Sequence, residues 1–198
     1  SVAAVHPALT RFAAPLHVVV FGAGPQAVGH VVTLAAVTAA PLASVTFVVR
    51  HPNRVGHDVT SLGAVVGADS PAATEAVGRA DVVVCATSAR TPLFRGEIVA
   101  SNVIVIAVGS HEPDARELDS ALLARSVVVV EDVGAALREA GDVIAALSEE
   151  AITRDALIPM TMAISGATPL PPDRPLVFKS VGMSWQDLTV ATAILAAA

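Results

Sequence analysis

The chain has 198 residues, 54% of them hydrophobic and 15% charged, with a formal net charge of −6. Such a chain builds one good core, and its acidity and Gly- or Pro-broken apolar runs exclude disorder, a nucleic-acid footprint and a membrane-spanning helix. A single cysteine, Cys85, excludes an internal disulfide and suits a reducing, cytoplasmic setting.

No basic-then-apolar leader is visible. The chain opens without Met inside a helical pattern, which is expected to continue a larger protein. Residues 1–14 read as a short apolar helix compromised by Pro7. His17–Phe21 is too short and too β-branched for a helix and reads as a strand. It runs into Gly22-Ala-Gly24 and then into a helical period from Pro25 to Ala40, with proline in the first turn and Pro41 ending it. Strand, glycine turn and helix together predict a dinucleotide site. Gly22 provides a conformation closed to residues with a Cβ, Gly24 allows close approach of an anion, and Ala27 lets the helix pack on the strand. The helix start would present its free amides to a pyrophosphate.

Val45–Arg50 is the second strand. A domain selecting NAD usually ends this strand with an acid for the ribose hydroxyl. Here Val49 stands in that place, followed by Arg50-His51-Pro52-Asn53-Arg54. Two guanidiniums and an imidazole suit a 2′-phosphate, so NADP is expected, with NAD possible. Pro52–Val66 reads as a helix from Val55, Val59, Leu62 and Val66, and a weak strand is expected near 64–68. Ser70-Pro71 opens a helix as cap and first residue.

Asp81–Ala86, apolar after its first residue, and Val103–Val108, apolar throughout, read as strands covered on both faces. Asp119–Arg125 reads as helix and Val127–Val130 as strand. Asp132–Ala140 reads as a helix stopped by Gly141 in a left-handed cap. Ala151–Ser165 is a helical pattern interrupted by Pro159 and closed by Gly166. Residues 169–175 form a rigid proline-rich connector, Leu176–Lys179 a last strand, and Ser184–Asp187 a capping box opening a C-terminal helix. Alternating strands and helices predict an α/β fold, a doubly wound parallel sheet. Residues 15–168 are expected to be the dinucleotide-binding domain, preceded by the 1–14 helix and followed by a C-terminal segment, 169–198.

Other polar residues carry weaker signals. Asp114, Arg116, Glu117 and Asp119 read as a patch that caps and decorates a helix. Lys179, at a strand end, is expected to face solvent, and Cys85 to be a small buried hydrophobe. His6, His17, His30 and His57 show no metal-ligand spacing, so no metal is expected.

Several segments in one order resemble the ornithine cyclodeaminase/μ-crystallin family. They are Gly22–Ala27, Ala80–Ser88, Ala107–Asp119, Glu139–Asp142 and Phe178–Leu188. The resemblance implies a Rossmann-like domain, with the family's substrate and dimerisation domain largely N-terminal to this chain. The C-terminal segment would return to that domain, and a homodimer or higher homo-oligomer would follow. Before Ala3, where the family often has Arg-Thr, stands Ser1-Val2.

Carried over, Pro25 and Gln26 would contact the pyrophosphate and Arg50, with His51 and Arg54, the 2′-phosphate. Thr87 and Ser88 would sit against the cofactor, and Val105, Ala107, Val108 and Gly109 would line the path to the nicotinamide. Ser180 would close over the reacting ring, with Val181 and Gly182 toward the substrate. Cyclodeaminases of the family place an Asp after this strand; here Gly109-Ser110-His111-Glu112 stands instead. His111 is the expected acid/base for an imine, since imidazole titrates near neutrality. The implied activity is NADPH-dependent reduction of an imino acid or interconversion of a keto acid/amine pair. A cyclodeaminase recycling its cofactor, or a non-catalytic NADP-binding protein, are the alternatives.

Overall fold

Runs of valine and isoleucine form the centre of the molecule, because β-branched residues pack well in a sheet covered on both faces. The computed structural model describes residues 1–197, apart from the side chains of 184–187, 190, 196 and 197. The capping box expected at Ser184–Asp187 therefore lies outside the described side chains.

In chain order the elements are α1 (Val2–Leu9), β1 (Leu16–Phe21), α2 (Pro25–Val37), β2 (Leu42–Val49), α3 (His57–Thr60) and β3 (Ala64–Gly67). Then come α4 (Pro71–Gly78), β4 (Val82–Cys85), β5 (Ile104–Ala107), α5 (Ser120–Arg125), β6 (Val127–Val130) and α6 (Val133–Glu139). The chain finishes with α7 (Gly141–Ser148), β7 (Leu157–Pro159), α8 (Met160–Ile164), β8 (Leu176–Lys179) and α9 (Ser184–Ala197). The described strands make one parallel sheet in the order β3-β2-β1-β4-β5-β8-β6-β7.

Alternation along each strand divides the core in two. Val18, Val20, Val84, Ile106 and Phe178 face one side, where Val5, Val31 and Leu34 of α1 and α2 cover them. Val19, Phe21, Val83, Cys85, Val105 and Ala107 face the other, against Val77, Leu122 and Val143 of α4, α5 and α7. This is the doubly wound α/β arrangement expected. Val2, Ala4, Val5, Ala8 and Leu9 of α1 are buried with the strands they cover, so the first segment belongs to this core. So does β8, which lies inside the sheet between β5 and β6.

Several local expectations are corrected. Pro52–Val66 is not one helix: a 3-10 turn at Pro52–Arg54 and the four-residue α3 precede β3. Gly56 and Gly63 break the period, and Val65 and Val66 gain ladder partners from Phe47 and Val48 instead. The weaker strand reading near 64–68 is the one the structure has. Gly141 is not a left-handed cap, since positive φ among the described glycines occurs at Gly22, Gly166 and Gly182. It opens α7, and its missing side chain admits the Ala115 carbonyl. Residues 151–165 contain β7 and the short α8 rather than a helix, because Pro159 suits a strand end and then the start of a helix. Gly166 closes α8 with φ +71°, as expected. Ser70, Asp119 and Asp132 each cap a helix by accepting an amide N–H.

Candidate functional site

Ligands in sheets of this kind bind beyond the carboxyl ends of the strands, where the winding reverses. Here that edge is built by the turns after β1, β2, β4, β5 and β8. β1 ends in Gly22 at φ +106°, and a Cβ there would lie 2.5 Å from the Ala86 oxygen. Only glycine fits both the angle and the contact. Beyond it, Gly24 is the N-cap of α2 with open space beside it, and no side chain caps the helix. Ala27 is wholly buried against the sheet, and Pro25 and Gln26 are exposed at the helix start.

A cleft of about 850 Å³ opens beside this turn. That volume is at the upper end of small-molecule sites. Of the residues expected to bind a dinucleotide, it brings together Gly22, Arg50, His51, Arg54, Thr87 and Ser88. Arg50 and Arg54 stand exposed at its mouth, and neither makes an ion pair among the described residues. Gly24, Pro25 and Gln26 adjoin the cleft through the chain without lining it.

The β5 expectations divide. Val105 and Ala107 have no exposed surface and point into the core, so their side chains cannot line a path for a ligand. Val108 and Gly109, half-buried, carry the chain on to the edge. His111 is exposed in the following loop, with Nδ1 3.4 Å from the Gly109 oxygen. Glu112 and Asp114 of that loop hold Arg90, a cleft residue not foreseen, and hydrogen bonds to Glu112 first and Asp114 second raise its pKa. Asp69, after β3, also lines the cleft unforeseen. After β8, outside the cleft lining, Ser180 Oγ donates to Glu131 Oε2 at 2.8 Å and the Gly182 amide to the same oxygen at 3.0 Å, which fixes the Ser180-Val181-Gly182 turn.

Two expectations about charge fail together. Glu117 is not a surface residue: it is wholly buried and accepts from the Thr87 amide and hydroxyl and from the Gly109 and Ser110 amides. Lys179 does not face solvent. Its ammonium lies 2.9 Å from Asp142 Oδ2, in ion-pair contact without hydrogen-bond alignment, and donates to the Ser110 oxygen at 2.5 Å. Asp142 Oδ1 in turn accepts the amides of Glu117 and Leu118 at 2.7 and 2.8 Å. Ordinary charge patterning hid these groups. The available signal was that each lies in one of the segments that carry the family resemblance. Cys85 is buried as expected, and burial, with Glu117 and Asp142 nearby, pushes its thiol pKa well up. No cluster able to hold a metal occurs among the described residues, and no helix among them is long and apolar enough to cross a membrane.

The model of the ornithine cyclodeaminase/mu-crystallin family matches residues 3–198. The chain belongs to that family. Among curated family members, ketimine reductase mu-crystallin of Mus musculus is 39% identical over 117 residues, 59% of this chain and 36% of that protein. A Delta(1)-pyrroline-2-carboxylate/Delta(1)-piperideine-2-carboxylate reductase of Azospirillum brasilense is 32% identical over 188 residues, 89% of this chain and 54% of that protein. The fold is also that of Thermococcus litoralis Delta(1)-pyrroline-2-carboxylate reductase, solved with NADH and L-proline. The likeness has a TM-score of 0.80 at 23% identity, covering 96% of this chain and 61% of the other. The chain thus spans from about a third to just over half the length of these two curated relatives.

Proposed function

We propose that this chain is the nucleotide-binding part of an NADPH-dependent reductase acting on an imino acid. The observation that carries the reading is the cleft itself, with the Gly22 turn at one end and Arg50 and Arg54 at the other. The fit is specific in two ways. Gly22 and Gly24 leave no side chain where a pyrophosphate must approach the α2 amides. The guanidiniums stand where an acid would select a free 2′-hydroxyl. The names of the curated relatives, a ketimine reductase and pyrroline-carboxylate reductases, support an imine as substrate.

The cofactor supplies hydride; the protein's part is binding, orientation and proton supply. Main-chain amides at the α2 start hold the phosphates, and Arg50, His51 and Arg54 hold the 2′-phosphate. Thr87 and Ser88 fix the middle of the ligand, and the Ser180–Gly182 turn closes the far side. His111, on an exposed loop at this edge, is the candidate proton donor to the imine nitrogen. Exposed Leu188, Ile194 and Leu195 along α9 support a further packing partner, in keeping with a homo-oligomer.

The test is titration of the full-length protein and its Arg50→Ala variant with NADPH and NADH. The wild type is expected to prefer NADPH, and the variant to lose about tenfold or more of that preference, as for one charged hydrogen bond. An unchanged preference would remove the 2′-phosphate assignment. Net NADPH consumption with cyclic imino acids separates reduction from cyclodeamination, which consumes none, and unchanged turnover by His111→Ala across pH would remove its proton role.

A further inference from the structure

The turns after β4 and β5 meet at one buried carboxylate. Glu117 Oε1 accepts the Thr87 amide and the Thr87 hydroxyl, both at 2.8 Å, and Oε2 accepts the Gly109 and Ser110 amides at 2.8 and 3.2 Å. All four partners donate, so both oxygens act only as acceptors. Its backbone is fixed in turn by Asp142, which accepts the Glu117 and Leu118 amides. The packing leaves no slack. A side chain at Gly109 would collide with the Thr87 backbone and come within 2.5 Å of Glu117 Oε1.

This arrangement has a consequence for Thr87. A free threonine hydroxyl donates or accepts as a ligand requires. Here its only proton is committed to Glu117, and one lone pair already takes the Ala89 amide at 3.1 Å. One lone pair remains, on a residue that lines the cleft.

We propose that Glu117 is a positioning residue that sets the polarity of Thr87, so that Thr87 meets the cleft's ligand only as a hydrogen-bond acceptor and selects a donor group on it. The inference rests on the nucleotide reading above. The donor is then a hydroxyl of a ribose or the amide N–H of the nicotinamide carboxamide. An acceptor-only threonine discriminates against a ligand presenting an acceptor at that point, because two facing lone pairs in a partly desolvated cleft leave both unsatisfied.

The substitution Glu117→Gln keeps the shape and replaces one acceptor oxygen with a donor nitrogen. Either turn of the amide then faces two N–H or O–H groups with another donor, and with the nitrogen toward Thr87 the hydroxyl proton is released. The experiment measures NADPH and NADH dissociation constants, with a thermal melt as the fold control, for Glu117→Gln, Thr87→Val, Thr87→Ser and the Gln/Val double variant. Glu117→Gln and Thr87→Val are each expected to weaken NADPH about tenfold, the cost of one hydrogen bond in a desolvated site. The double variant is expected to be no more than about twofold worse than either single, because both remove the same interaction. Thr87→Ser recovers most of the loss. The NADPH-over-NADH ratio stays constant throughout, since the 2′-phosphate lies at the other end.

The 3-acetylpyridine analogue of NADPH, which lacks the carboxamide N–H, separates the two donors: a loss on Thr87→Val that persists with it assigns a ribose hydroxyl, and one that vanishes assigns the carboxamide. Should Glu117→Gln fail to fold, the Thr87→Val loss and Thr87→Ser recovery decide alone. Unchanged NADPH affinity in Thr87→Val, or additive losses in a folded double variant, overturns the inference while leaving the nucleotide reading intact. Failure of the unmodified protein to bind NADPH overturns that reading itself.

Discussion

Replacing Lys179 with Met tests the buried charge network directly. The side chains of Lys179 and Asp142 are 1% and 0% exposed, and the ammonium lies 2.9 Å from Oδ2. At that distance, with an effective dielectric constant near 20, the attraction is about 6 kcal/mol. The cost of burying the ammonium, several kcal/mol, offsets much of it. Methionine keeps the stem and volume but strands Asp142 without its counter-charge and the Ser110 oxygen without its donor. A buried pair broken from one side loses about 3–5 kcal/mol, a large part of the ~5–15 kcal/mol that holds a typical domain together. Urea unfolding followed by circular dichroism would read this as a lowered midpoint. Adding Asp142→Asn is expected to recover part of the loss, because the asparagine oxygen still accepts the Glu117 and Leu118 amides without leaving a naked charge. A loss below about 1 kcal/mol, the range of exposed ion pairs, would refute the argument. So would a double variant no more stable than the single.

Two further outcomes follow from the same structure. Gly22→Ala forces a side chain into φ +106° and to within 2.5 Å of the Ala86 oxygen, and is expected to cost about 2 kcal/mol or more together with most NADPH affinity. A wild-type melting temperature in that variant would show the turn to be unstrained. His30 is buried and holds its imidazole between the Gln26 carbonyl and the Ser1 hydroxyl, each at 2.6 Å. Desolvation is the main cause that lowers its pKa. The folded state therefore binds this proton less well than the unfolded chain, so its contribution is constant above the unfolded pKa of about 6.5 and stability falls as the pH drops below it. His30→Leu is expected to flatten that acid limb, and superimposable pH profiles for variant and wild type would exclude the residue as its source.

The strands and the cleft beside the Gly22 turn were legible because their signals are local. Val82–Cys85 and Val127–Val130 read as buried strands from composition alone, and Arg50 and Arg54 follow directly from the end of β2. Strand β7 was not legible, since Leu-Ile-Pro is too short to show a period and its pairing with β6 is a tertiary fact. Nor were the roles of Glu117, Asp142 and Lys179. In one dimension a carboxylate beside arginine resembles any solvated helix face; only the fold brings residues 117, 142 and 179 together. Each lies in one of the segments that carry the family resemblance. A shared buried network gives those segments a common physical purpose that reading them singly did not reveal.

The position of β8 decides how the parts of the sheet are joined. Its four residues bond β5 on one side and β6 on the other, so the strip formed by β6 and β7 joins the sheet only through residues 176–179. One strand late in the chain works as a keystone: it joins both halves of the sheet and carries Lys179 to Asp142.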